Sequence, residues 1–271
     1  MKIVLFVLAS LSLAFGAVYE TQMDDAKLYV ISLAKRAQPL DKLLPNDEAQ
    51  KKLIEQAAKN DPQNEHNVLL VRHKDFTALV DTGFANTQGV LKEELARLGV
   101  DFADITHIII THAHGDHIGG ILNEGKNNFP KARLLIDKKE FDFWLAGSNE
   151  GAKQALNAFE KKEFFDHSKP LLPSKLVIKA LPAYGHTPGH NLISFTASSK
   201  ADKASPQKLV FIADLLHAYE VQTAAPDIAI QYDNDKAGAV QARKQHLKEL
   251  RAQKASIVGV HTPFSKPQLL P

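Results

Sequence analysis

The chain has 271 residues, 44% apolar and 24% charged, a balance that supplies a continuous core and excludes both an intrinsically disordered chain and a polytopic membrane protein. Lysine and arginine outnumber aspartate and glutamate only by 33 to 31, too even for the broad basic footprint of a nucleic-acid binder, so nucleic acid is disfavoured as a partner. Cysteine is absent, which rules out disulfides, thiolate-bound zinc, iron–sulfur clusters and a cysteine nucleophile; any metal falls to histidine and carboxylate.

Lys2 precedes an uncharged apolar run from Ile3 to Phe15, with Ala14 and Gly16 at the minus-three and minus-one positions of a cleavage site. This is the pattern of a secretory signal peptide over residues 1–16, too short to span a bilayer comfortably. It predicts a nearly neutral periplasmic or secreted protein over residues 17–271, with no membrane span after cleavage. Ala26 to Leu33 then reads as a strand and Asp47 to Lys59 as an amphipathic helix with Leu53, Ile54 and Ala57 inward. Val68 to Val71 and Thr77 to Val80 suggest a hairpin. Asn86 to Leu98 carries Leu91, Leu95 and Leu98 at helical spacing before Gly99 as C-cap. Strands follow at Ile105 to Ile110 and Arg133 to Ile136, a helix through Phe141 to Leu145, and a second helix from Glu150 to Phe165. Further strands are expected at Lys175 to Leu181, Leu192 to Thr196 and Leu209 to Ala213. A last helix runs from Asp235 to Lys254, with Asp233 and Asp235 at its start and Lys248, Arg251 and Lys254 near its end, as the helix dipole favours. Strand Ser256 to Val260 closes the series.

The densest chemistry stands at the end of the strand Ile105 to Ile110, in the string His112-Ala113-His114-Gly115-Asp116-His117. Four ligand-type side chains packed this closely converge only if the backbone turns tightly, which Gly115, Gly119 and Gly120 permit. Neutral imidazoles and a carboxylate are ligands for zinc and its neighbours, and the string offers more donors than one open catalytic site uses, so two metal ions are the economical reading. Later predicted strands end at Gly185-His186-Thr187-Pro188-Gly189-His190, at Asp214 and at His261. Strand ends are where side chains from distant sequence positions meet.

This set, in this order, resembles the metallo-β-lactamase superfamily from Val68 to about Phe264. The resemblance implies an α+β four-layer αβ/βα sandwich, two mixed β-sheets flanked by helices, in a single domain whose core covers about residues 68–264. It also implies two divalent metal ions at one edge between the sheets, zinc foremost, with manganese, iron or cobalt as alternatives. Carried over position by position, His112, His114 and His186 would bind the first ion, Asp116, His117 and His261 the second, and Asp214 both. Asp81, in Val80-Asp81-Thr82-Gly83, would support the metal loop, and His190 would stand behind the ligands without binding.

Two ions sharing a water lower its pKa from 15.7 towards about 7, so the expected nucleophile is a metal-bridging hydroxide, with Asp116 as the catalytic group that passes a proton to the leaving group. The sequence departs from glyoxalase II proteins, which continue with a helical domain where this chain ends ten residues after His261. It departs from β-lactamases with the same histidine string, which lack the bridging aspartate. Segments 213–217, 232–237 and 259–264 look like the methyl-parathion-hydrolase and lactonase branch. Quorum-sensing lactonases usually carry tyrosine three positions after the bridging aspartate; His217 stands there and is a candidate substrate contact. The expectation is hydrolysis of an ester, lactone or phosphoester bond in a small-molecule substrate, with β-lactamase or mononuclear-iron persulfide dioxygenase as alternatives and a homodimer left open. Phe141, Phe143, Trp144, Phe159, Phe164 and Phe165 fit either a core or an apolar pocket wall, the core being the commoner use of that spacing.

Overall fold

The computed structural model describes residues 18–199 and 206–271; the expected signal peptide, residues 1–16, lies outside them. Strands β1 (Val18–Met23), β2 (Ala26–Ala37), β3 (Gln63–His73), β4 (Thr77–Val80), β5 (His107–Ile109), β6 (Arg133–Ile136) and β7 (Lys162–Phe164) form one sheet in chain order. Its first four strands pair antiparallel and the last three join in parallel. The second sheet is β8 (Val177–Pro182), β9 (Asn191–Thr196), β10 (Lys208–Phe211), β11 (Ser256–Val258) and β12 (Gln268–Leu269), with a parallel pair between β10 and β11. Both sheets are therefore mixed.

Strand alternation distributes the apolar side chains over three layers of core. Leu69, Val71, Ala78, Val80, Ile109 and Leu135 of the first sheet meet Ile178, Ile193, Phe195, Leu209, Phe211 and Val258 of the second. Their sequence neighbours Val68, Leu70, Leu79, Ile108, Leu134 and Ile136 face outward, against helices α2 (Gln88–Arg97) and α5 (Glu150–Asn157). On the far side Leu192, Val210 and Ile257 pack on Leu247 and Leu250 of α7 (Lys236–Ala252). Apolar residues on both faces explain why these strands read as continuous hydrophobic runs. The result is the expected helix–sheet–sheet–helix sandwich.

Local chemistry sets the helix starts. Helix α1 (Glu48–Ala58) is capped by Asp47, whose side chain accepts from Gln50 N at 2.8 Å, and α7 by Asp235, which accepts from Gly238 N at 3.0 Å. Asp233 lies outside α7, so it is not the helix-start acid the sequence suggested. The helix expected from Glu150 to Phe165 stops at Asn157. Its inward stripe of Ala152, Ala155 and Leu156 ends in buried Phe159, and the charged run Glu160 to Glu163 offers nothing to continue it. The parallel edge of β6 takes the chain instead, with Leu134 N donating to Lys161 O and Phe165 N donating to Ile136 O. Strand β1, not anticipated, completes the opposite edge. No helix among the described residues is long and apolar enough to cross a membrane.

Candidate metal centre

The chain delivers its polar side chains where strands of both sheets end on the same edge of the sandwich. Asp81 follows β4, His112 and His114 follow β5, His186 lies between β8 and β9, Asp214 follows β10 and His261 follows β11. The one-turn helix α3 (Gly115–Ile118) carries Asp116 and His117. Its loop sits tightly on the segment after β4, because a Cβ on Gly120 would lie 2.3 Å from Thr82 O. Asp81 and Ala213 hold non-glycine positive φ, 58° and 44°, the sparsely populated backbone that tends to gather at functional sites.

Two donor groups result. His112, His114, His186 and Asp214 bring ligand atoms within 4.8 Å of one another, and so do Asp116, His117, Asp214 and His261; Asp214 belongs to both. In the first, His114 Nδ1 is 3.0 Å from both His112 Nε2 and His186 Nε2. Asp214 Oδ2 lies 3.7 Å from His112 Nε2 and 3.3 Å from His186 Nε2. In the second, Asp116 Oδ2 is 3.2 Å from His261 Nε2 and 3.6 Å from His117 Nε2. Asp214 Oδ1 and His117 Nε2 stand 3.0 Å apart, yet both are buried with no hydrogen-bond partner among the described residues. Buried donors and acceptors are normally satisfied, and lone pairs aimed at a common point are what a transition metal requires. The residues present therefore fit divalent ions.

The electrostatics agree with the geometry. Burial, reinforced by His117, keeps the His112 imidazole well below its ordinary pKa, and burial with His186 beside it pushes His114 down to about 3. These two neutral imidazoles leave their lone pairs free, whereas, against the opposing effect of burial, Asp214 raises the pKa of His117 and His186. Against the opposing effect of burial, His117, His261 and His112 hold Asp214 ionised, and His117 and His261 do the same for Asp116. Burial opposes a charge on His261 too, but Asp214 and Asp116 drive its pKa up to about 9. The two carboxylates thus pull positive charge into the centre, which cations can supply.

A ring of hydrogen bonds orients these groups. Asp81 accepts from Thr111 N, Thr111 Oγ1 and His117 Nδ1, at 2.9, 2.8 and 2.8 Å. His190 donates from Nδ1 to Ala183 O at 2.9 Å and accepts from Asp214 N at 3.2 Å. His217, just before α6 (Tyr219–Ala224), is buried, with Nε2 3.2 Å from Asp214 Oδ2 and its ring stacked on that of His261; it lies outside both donor groups and lines the cavity above them. Burial lowers its pKa to about 4.

Sequence reasoning missed four participants. Asp233 is buried, with Oδ1 2.9 Å from His186 Nδ1. Arg243 of α7 donates to Leu215 O and Ile228 O and approaches Asp233. Glu140, on α4 (Lys138–Ala146), accepts from Ala113 N, Thr187 Oγ1, Gly189 N and Trp144 Nε1 at 2.9, 2.6, 2.9 and 2.5 Å. A Cβ on Gly189 would lie 2.3 Å from Glu140 N, so only glycine lets the two segments meet. His66 of β3 donates from Nε2 to Asp116 O at 3.0 Å, leaving Nδ1 without a partner among the described residues.

Above the donor groups opens a cavity of about 470 Å³, walled by Arg36, Phe84, His66 and Tyr232, within the usual range for small-molecule sites. A second hollow of about 530 Å³ shares His114 and Tyr232 with it and is lined by Phe143 and Trp144. The other aromatics serve packing: Phe159 and Phe165 join the cores, and Phe141 contacts Phe164.

Set beside known proteins, the chain matches the family model of the metallo-beta-lactamase superfamily over residues 62–259. It is 38% identical over 72 residues to metallo-beta-lactamase domain-containing protein 1 of Xenopus laevis, covering 27% of this chain and 28% of that protein. It is 30% identical over 130 residues to the uncharacterized protein YobT of Bacillus subtilis, covering 45% and 54%. The chain thus spans about half the length, or less, of these curated relatives. Among solved structures, AidC, a dizinc quorum-quenching lactonase with the product N-hexnoyl-L-homoserine, superposes with a TM-score of 0.82 at 26% identity over 94% of both chains. The hydrolase AbOPH shares the fold with a TM-score of 0.74 at 23% identity, over 94% of this chain and 93% of its own.

Proposed function

The chain belongs to the metallo-β-lactamase superfamily, and from that premise we propose that it is a metal-dependent hydrolase that holds two divalent ions, zinc foremost, and cleaves ester, lactone or phosphoester bonds. The observation that carries this reading is the sharing of Asp214 between two donor groups at the floor of a small-molecule-sized cavity. His112, His114 and His186 would hold one ion, Asp116, His117 and His261 the other, with Asp214 common to both. Bound there, such ions supply Lewis acidity, lowering the pKa of water from 15.7 towards about 7 and polarising the scissile carbonyl or phosphoryl group.

The protein's own part is orientation and proton handling. Asp81 and Asp233 fix the tautomers of His117 and His186, so that Nε2 of each faces the centre. His190 and the strained turn at Ala213 hold the Asp214 backbone. Asp116, ionised and lining the cavity, is placed to accept a proton from the attacking water and hand it to a departing oxygen. His217, beside Asp214 at the cavity wall, is the proposed substrate contact. The likeness to a dizinc lactonase over nearly the whole chain supports the ester and lactone class.

The test is metal counting joined to a substrate panel of esters, lactones, phosphotriesters and β-lactams, with and without chelator. Two ions per chain and chelator-sensitive ester or lactone turnover are expected; one iron and no hydrolysis would defeat the reading. Export belongs to the same proposal, supported by Lys2 and the apolar run after it. Sequencing the N-terminus of the protein recovered from a periplasmic fraction, expected at Ala17, checks it.

A further inference from the structure

Within the hydrolase reading, on which this step rests, we infer that Arg36 makes the cavity selective for substrates that carry a carboxylate remote from the scissile bond. Arg36 lies near the end of β2, beyond a register shift between Ser32 and Lys35 in the pairing with β3, and faces Asn64 across the strands. Bulges of this kind bend a strand and re-aim its side chains, and both Arg36 and Asn64 line the cavity above the donor groups.

The guanidinium stands 4.2 Å over the Phe84 ring, and among the described residues it has no carboxylate partner and no side-chain hydrogen bond. The nearby acids are already engaged. Glu65 accepts from Ser32 Oγ at 2.5 Å and pairs with Lys35 at 3.2 Å, while Asp116 and Asp214 face imidazoles. A charged fork stacked on an aromatic face keeps its N–H edges free and loses little freedom when it captures an anion. Its two parallel donors match the planar carboxylate, and it is the sole lysine or arginine among the described residues lining this cavity. A phosphate dianion calls for more positive charge than one guanidinium brings, which favours the singly charged carboxylate.

The experiment compares matched substrates on the metal-loaded enzyme. One pair is 4-nitrophenyl hexanoate and the 4-nitrophenyl monoester of adipic acid; the other places a carboxylate on the leaving phenol. In at least one pair the wild type should prefer the anionic member at least about fivefold in kcat/KM, chiefly through KM. Arg36→Ala should bring that anionic-to-neutral ratio down to about one, Arg36→Lys should retain part of it, and rising salt should shrink it in the wild type. An absence of preference in both pairs, or a preference that Arg36→Ala leaves in place while metal content and circular dichroism are unchanged, overturns the inference. Failure of the hydrolase reading shows differently, as no turnover of any member. In that case calorimetry with adipic acid monoamide against hexanamide decides: tighter binding of the acid that weakens about tenfold in Arg36→Ala supports the carboxylate site, and equal binding in the two proteins overturns it.

Discussion

Asp233 Oδ1 stands 2.9 Å from Nδ1 of His186, with both side chains sealed from solvent. The pairing puts the proton on Nδ1 and turns the Nε2 lone pair toward His114 and Asp214. Arg243 approaches the same carboxylate at 3.6 Å, so the last helix anchors the ligand through one intermediary. Asp233→Asn keeps an acceptor but removes the charge that raises imidazole basicity. It should weaken metal affinity about tenfold to a hundredfold, read by competition with a chromophoric chelator. Unchanged affinity would reduce Asp233 to a packing residue.

Glu140 ties two loops that the chain delivers separately. Through Ala113 N it holds the segment of His112 and His114, and through Thr187 Oγ1 and Gly189 N that of His186. Burial raises its pKa despite these donors. In Glu140→Gln the amide nitrogen must face groups that themselves donate, and each buried donor left unmet costs about 1–3 kcal/mol. The expected result is a loss of at least about 2 kcal/mol in denaturant-measured stability together with weaker metal binding. A variant as stable and as metal-tight as the wild type would contradict the tether.

These two residues also mark where the sequence stops being legible. The histidine string could be read because its spacing is local, and Asp214 and His261 because each ends an apolar run that announces a strand. Asp233 and Glu140 act across separations of 47 and 27 positions, and no local pattern distinguishes them from a helix-flanking acid or an exposed helix carboxylate. His66 precedes the Val68 to Val71 run with no motif around it, and its place beside Asp116 depends on β3 lying next to the α3 loop. The early end of α5 was hidden for a related reason: what stops the helix at Asn157 is the open edge of β6, a partner the segment does not contain.

Asp214 is the group on which the two-ion proposal turns. Serine in its place removes the shared carboxylate while leaving the three imidazoles of the first donor group. Asp214→Ser should therefore lower metal content from about two ions per chain toward one and reduce kcat at least about tenfold to a hundredfold. His114→Ala should lower occupancy and turnover in the same assays. Full occupancy and undiminished kcat in Asp214→Ser would show that the carboxylate caps a turn and does not bridge.

The proposed substrate class differs from the superfamily's namesake activity. With Asp214 in the centre and His217 3.2 Å from its carboxylate, activated aryl esters, lactones or phosphotriesters should be cleaved at least about a hundredfold better, in kcat/KM, than cephalosporins or S-lactoylglutathione. That ratio needs about 2.7 kcal/mol of differential transition-state binding, which one or two well-placed polar contacts supply. His217 is suited to be one of them: it lines the cavity beside Asp214, and burial holds its imidazole neutral. His217→Ala should cut ester turnover about tenfold or more while two ions stay bound, which metal analysis of the same sample resolves. Loss of an ion in that variant would make His217 a ligand, and efficient cephalosporin turnover by the wild type would overturn the proposed ester and lactone class even with both ions in place.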